Sequence, residues 1–424
     1  MNVYLCGRTA LDVYFLAKER LGLSFYSRLE RVEVGSLGEC AHTARQVAGC
    51  ELGFLAPLHA GRIDVLVPSA NLCNASAAVQ PHVWSGELPA GAFAKLSDGV
   101  YLATPEFLAL MMARTLDRYQ TLQLCMQLCG IYANSRTAKH GMVQHPRLAS
   151  EERMRAMAAD PHGSGRDGRQ RFVWATQHVM GGAASHVEAG VALLHAMPWQ
   201  SGGYALRRFE LNARVDYNEK NRASTGAEYC LVDMLDRATK FGWEYQGHES
   251  HSDVEGAEPY QRRDRTPGRG GVVATANVVP AANAASAPNA ASAANAVVAM
   301  GAPSSSIPAA SGSNAPLAPS GSADSSGPAA SVTPVINMSY GAKRLNEDVL
   351  KLAALADQRY DVRPLVWDQV STVHEFDRVA RVTAEKFGVD VTKRHAFASD
   401  QEVMRRRLAL HRGLLLDRFY WEDL

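Results

Sequence analysis

Almost no net charge is left on this chain of 424 residues: 44 Lys and Arg stand against 43 Asp and Glu, a formal +1. Without a global basic excess to draw in phosphates, any nucleic-acid contact has to be local. Long apolar runs are missing too. No stretch of about 18 purely apolar residues occurs, so no membrane span is expected. The opening MNVYLCGRTALDV is broken early by Arg8 and Asp12, which argues against a signal peptide. Cysteine is sparse, odd in number and scattered: Cys6, Cys40, Cys50, Cys73, Cys125, Cys129 and Cys230. With no export signal these are expected as free thiols, and the protein as cytoplasmic. Cys125 and Cys129 share a face of an expected helix, but no second close Cys/His pair accompanies them. Buried small hydrophobes are the expectation, not half of a metal site. A glycine-rich phosphate loop, a Gly-x-Ser-x-Gly elbow and zinc-finger spacing are all absent.

The longest deficit is regional. No aromatic residue occurs between Tyr260 and Tyr340, and Asp324 is the one charged side chain between Arg269 and Lys343. Such a stretch cannot bury enough apolar surface to offset the entropy of ordering it. It reads as a disordered low-complexity insert at 265–335. It separates an α/β region at 1–150 and a second region at 151–264 from a last one at 336–424.

What is present, 46% hydrophobic and 21% charged, suits globular domains. GRIDVLVP (61–68) reads as a buried strand and PHVWSGELP (81–89) as a strand entering a turn. TPEFLALMMARTL (104–116) reads as a helix, with Thr104 as cap, Pro105 first and Glu106 at the positive end. Helices are expected at 117–133, from 151, at 169–182 before Gly181 and Gly182, and at 185–198 before Pro198. FELNARVDY, EYCLVDMLD and FGWEYQG read as strands, the last two joined by the short RATK. Beyond the insert, 342–358 is a periodic helix with Leu345, Val349, Leu352 and Leu355 on one face. A strand at 361–367 comes next, then a helix at 371–388 with Ser371 at its start and Gly388 at its end. In the final basic helix (about 400–419), Arg405, Arg406, Arg407 and Arg412 read as a solvated face balanced by local acids rather than a phosphate grip.

The chemistry sits in the strands around 228–247. Residues two apart share a strand face, so Tyr229, Leu231 and Asp233 point one way, and Glu244 and Gln246 share a face on the next strand. If the two strands pair across RATK, Asp233 and Glu244 meet. Two carboxylates that close suit a hard divalent ion. Glu188, on the preceding helix, can add a third acid. The plain alternative is solvated acids at strand ends.

The order of helix, strand, strand, strand, helix, strand, with Glu244-Tyr245-Gln246-Gly247-His248 on the third strand, looks like the PD-(D/E)XK nuclease core. More narrowly it resembles the branch similar to very-short-patch repair endonucleases. SHVEAGVALLHAMP through GGYALRRFELN resembles the lead-in of actinobacterial proteins of this type. LPAGAFAKLSDGVYLATPEFLALMMARTL (88–116) resembles the type IV abortive-infection antitoxin-like region that often precedes it. The likeness spans roughly 80–260 and 337–388, and EYQGH is its sharpest motif.

The resemblance implies an α/β (α+β) fold: a restriction-endonuclease-like core of helix, three-stranded β meander, helix and strand, after a mixed α/β N-terminal domain. It makes Asp233 and Glu244 ligands of Mg2+ or Mn2+, and Glu188 an accessory acid. Gln246 stands where many nucleases place lysine and would orient the water. His248 would be a general acid or base, with His251 just after it. His186 sits where relatives often carry proline, and Met1–Gly22 shows no winged helix. The implied function is metal-dependent hydrolysis of DNA phosphodiesters, with DNA as partner. The alternatives are a catalytically inactive DNA-binding regulator of the antitoxin type, for which a toxin-like protein is a further partner, and an interaction protein with no nucleic-acid role.

Overall fold

The computed structural model describes residues 1–163, 167–246, 340–390 and 401–424. The insert at 265–335, His248 and His251 lie outside the described residues.

The chain opens with a buried three-residue strand, β1 (Val3–Leu5), which turns at Gly7 into α1 (Gly7–Arg20). Gly7 has a φ of +54°, and a Cβ there would press on the Asp64 carboxyl at 2.9 Å, so glycine is required on both counts. Next come β2 (Glu30–Val32), α2 (Ala44–Ala48), β3 (Ile63–Val67), β4 (Val79–Val83), β5 (Phe93–Ser97) and β6 (Val100–Ala103). They form a six-stranded mixed sheet in the order β2-β5-β6-β1-β3-β4, with β1 parallel to β6 and β3 parallel to β4. The segment expected as a strand at 61–68 supplies β3, whereas that at 81–89 overlaps only the end of β4, which begins at Val79 and stops at Val83.

Four helices follow in the chain, α3 (Pro105–Met112), α4 (Arg118–Cys129), α5 (Glu151–Ala159) and α6 (Arg169–His178), with the hairpin β7 (Tyr132–Asn134) and β8 (Met142–Gln144) between α4 and α5. Thr104 precedes α3 but does not cap it. Its hydroxyl donates back to the carbonyls of Gly91 (2.8 Å) and Ala92. Glu106 is buried and accepts both its bonds from Arg31, so it serves as an ion-pair partner as well as a first-turn acid. Cys125 and Cys129 are free and buried, as small hydrophobes.

The second sheet has four strands. α7 (His186–Ala196) leads into β9 (Glu210–Asp216), α8 (Glu219–Thr225), β10 (Tyr229–Asp236) and β11 (Phe241–Gln246). Next described are α9 (Tyr340–Asp357), β12 (Asp361–Val366), α10 (Val373–Lys386) and α11 (Gln401–His411). The strand order is β12-β11-β10-β9: an antiparallel meander with β12 added parallel to β11. A parallel neighbour requires a crossover, and α9 lies in it.

Three sequence expectations need correction here. Val349 is 51% exposed instead of joining the buried stripe of α9; burial begins at Ala354 and Leu355. Thr372, not Ser371, caps α10, accepting from Glu375 N. Arg407 is not solvated: it is buried against the Tyr204 ring and pairs with Asp377. Arg405 and Arg406 do pair locally with Glu402, and Arg412 with Asp417. The described residues fall in one unit, and an apolar cluster runs through it from Val3 and Leu5 by way of Leu193 and Phe241 to Trp421. No described helix is long and apolar enough to cross a membrane.

Candidate active site

β10 and β11 pair at Met234–Trp243, Leu235–Gly242 and Asp236–Phe241. The next pair outward in this register is Asp233 with Glu244, and there regular pairing stops. Tyr245 N donates to Asp233 Oδ2 at 2.8 Å, and Asp233 N donates to Glu244 Oε2 at 3.4 Å. Each carboxylate thus bonds a backbone amide of the facing strand. On the other side of β10, regular pairing also skips Asp233: Val232 pairs with Ala213 and Met234 with Leu211. The residue of β9 at that level, Asn212, has a φ of +49°. Asparagine tolerates this left-handed conformation better than most residues. The sheet is therefore irregular on both sides of Asp233.

Glu188 enters from α7. Ser185 accepts from Glu188 N at 3.2 Å, and Glu188 Oε1 accepts from the Ser185 hydroxyl at 2.8 Å. This is the side-chain half of a Ser-x-x-Glu box at a helix start. Glu188 Oε2 accepts from Ala184 N (3.0 Å) and from Asn212 Nδ2 (3.1 Å), which ties α7 to the irregular point of β9.

The fourth charged member was not anticipated. Lys351, on α9, donates to Glu244 Oε1, and both side chains are largely buried. Gln246 ends β11, half-buried, opposite Val366 of β12.

These charges act on one another. Burial, then the negative charges of Glu188 and Glu244, push the Asp233 carboxyl well above the usual range, with Lys351 pulling the other way. Burial also raises Glu244 against the opposing pull of Lys351, and Asp348 adds a further upward push. Glu188 is raised by burial despite its cap hydrogen bonds. The arrangement is one of crowded anions in a partly dry place, held by backbone amides and one ammonium. A divalent cation would relieve that crowding.

The structure thus brings Asp233, Glu244 and Glu188 near one another. Among the described residues, no group of three His, Cys, Asp or Glu side chains is placed to hold a metal ion. Glu188 belongs to the cap, and the possible ligand set is the pair Asp233 and Glu244. His186, one residue into α7, is buried, with Nε2 at 3.3 Å from the Leu415 carbonyl and its pKa lowered to about 3 by burial and by Arg418. It plays a packing role. Nothing in the local sequence marks Lys351, since one lysine on an amphipathic helix is ordinarily solvated. Comparison of the chain with protein-family models, with curated proteins and with solved structures finds no match.

Proposed function

We propose that the chain is a divalent-metal-dependent endonuclease that hydrolyses DNA phosphodiesters on a restriction-endonuclease-like core. The observation that carries this reading is the Asp233–Glu244 pair, on facing strands with Lys351 against it. The element order α7, β9, α8, β10, β11, α9, β12 supports it, with α8 a helix added between the first two strands of the expected meander.

The donor set fits a small hard cation. Mg2+ is commonly bound through one or two carboxylates, with waters and substrate oxygens completing its shell, so a third protein acid is not required. When bound at Asp233 and Glu244, such an ion supplies an acidified water and neutralises charge on the phosphodiester. The chain's own groups do the remaining work. Asp233 is held on Tyr245 N, so its carboxylate is fixed in direction before any ligand arrives. Lys351 brings a positive charge that Gln246 cannot supply. Gln246, at the end of β11, can orient the attacking water through its amide. Glu188 acts at a distance through its charge and through Asn212.

The test is incubation of the purified protein with plasmid DNA and Mg2+ or Mn2+. Nicking or linearisation is expected, with loss of at least about 100-fold in Asp233→Ala and Glu244→Ala, in line with removing a principal charge stabiliser. Cutting that survives both substitutions refutes the assignment.

A second reading has its own support. Glu188 is committed to a helix cap and Glu244 to Lys351, as in a site that no longer turns over. This reading is the DNA-binding regulator of the antitoxin type. It expects binding without cleavage, weakening steeply with salt. A gel shift with no binding at low salt ends it.

A further inference from the structure

We infer that Lys351 is an exchangeable counter-ion: its ammonium holds the cation's place on Glu244 until a divalent ion displaces it, and the freed ammonium then turns to the phosphate. This rests on the reading of Asp233 and Glu244 as a cation-holding pair, and adds what controls entry to that pair.

The placement of α9 carries the argument. Its C-terminal half is clamped. Asn221 Nδ2 donates to the Ala354 carbonyl at 2.9 Å, Lys220 pairs with Asp357 at 2.5 Å, and Ala354 and Leu355 are buried. One turn earlier, Asn346, Glu347, Val349 and Leu350 are exposed. Lys351 stands at this boundary. Its Cα is anchored by the clamped turns, while its side chain keeps 19% of its surface open and can swing outward on a long flexible stem. Its partner Glu244 is 12% open, so the pair is neither free in solvent nor sealed.

Lys351 acts as a cation on both Asp233 and Glu244, whereas Glu188 adds negative charge at Asp233 and Asp348 at Glu244. A +1 and a +2 charge cannot share one carboxylate oxygen without strong repulsion. Ion binding and the Lys351–Glu244 bond are therefore antagonistic, and the coupling between them is reciprocal. Once displaced, Lys351 remains tethered beside the site. There it is a donor for a phosphate oxygen, a role in which a compact ammonium serves well.

The experiment is calorimetric titration of Mn2+ into the full chain, wild type against Lys351→Met, paired with plasmid cleavage. A purely structural lysine would lose metal binding and cleavage together. The exchange model expects opposite signs: Mn2+ binds Lys351→Met tighter by about tenfold or more, while cleavage falls by about 100-fold. Lys351→Arg keeps the charge and leaves Mn2+ affinity near wild type. If Lys351→Met does not fold, Lys351→Gln carries the same test. Binding by wild type with no gain in the neutral variant overturns the exchange and leaves the metal pair standing. No Mn2+ binding in either protein overturns both.

Discussion

At the scale of single residues, the acids of the site destabilise the metal-free protein when they are charged. Asp233 and Glu244 have folded values above their unfolded ones, so the folded state binds protons more tightly than the unfolded state. Their favourable contribution is present in full below the ordinary carboxylate range and is lost as pH climbs through the raised values. Asp233→Asn, neutral at every pH, is therefore expected to melt higher than wild type at pH 7 without metal, by on the order of 1 kcal/mol. The gap closes as pH is lowered. Thermal melts from pH 4 to 8 check this. A second cluster, between α1 and the loop before β3, contains a base. His59 has Nδ1 at 2.7 Å from Asp12 Oδ2 and Nε2 at 2.8 Å from the Arg62 carbonyl, so both nitrogens face acceptors, an arrangement that favours the protonated ring. Its pKa is raised, first by the Asp12 bond. Its stabilisation is complete below the ordinary histidine value and fades as pH rises past the raised one. The difference in melting temperature between wild type and His59→Gln should shrink between pH 6 and 9; a constant difference rules out a charged His59. Of these residues, Asp233 and Glu244 could be read from two-residue spacing and a short connection. Lys351 could not, because its pairing with Glu244 spans 107 positions and exists only once β11 and α9 are assembled.

At the scale of elements, α7 has to sit close to the wide helical turn Arg412–Leu416 that continues α11. A Cβ on Gly190 would stand 2.5 Å from Leu415 Cδ2 and 2.8 Å from the Leu414 carbonyl. Gly190→Val is expected to cost about 2 kcal/mol by overpacking and to lower cleavage, since Glu188 lies on the same helix two residues earlier. Urea unfolding and the plasmid assay measure the two effects. Stability unchanged from wild type contradicts the packing of α7 on this turn. Periodicity revealed where strands and helices lie, because apolar spacing is set by local geometry. It missed features that depend on neighbours: Thr104 donating to carbonyls of the preceding loop, the exposed Val349, and the break in pairing at Asn212 and Asp233. The Ser185-x-x-Glu188 box was present in the sequence as a capping signal and explains Glu188 at least as directly as any chemistry.

At the scale of the whole molecule, the last residues return to the first helix. Trp421 is buried, donates from Nε1 to Asp12 Oδ1 at 2.7 Å and packs edge-on to Phe15 with ring centroids 5.0 Å apart. Arg8 donates to the Glu422 carbonyl at 2.6 Å, and Arg136 pairs with Asp423 at 2.7 Å. Trp421→Ala is expected to cost about 3–5 kcal/mol. Calorimetry should show this loss on one cooperative transition, because the apolar cluster reaches from β1 to Trp421. Separate transitions for the two sheets would contradict that continuity. The sequence suggested three regions, two of them set apart by the composition of the insert between them. It carried no sign of this closure, because contacts between Trp421 and Asp12 leave no trace in local pattern.

The most direct test of the central claim is the anomalous signal of Mn2+ in crystals of the full chain grown with that ion. The account expects one strong peak within coordination distance of both Asp233 and Glu244, with Lys351 moved off Glu244. A fully occupied Mn2+ elsewhere, with Asp233 and Glu244 bare and Lys351 unmoved, would contradict it.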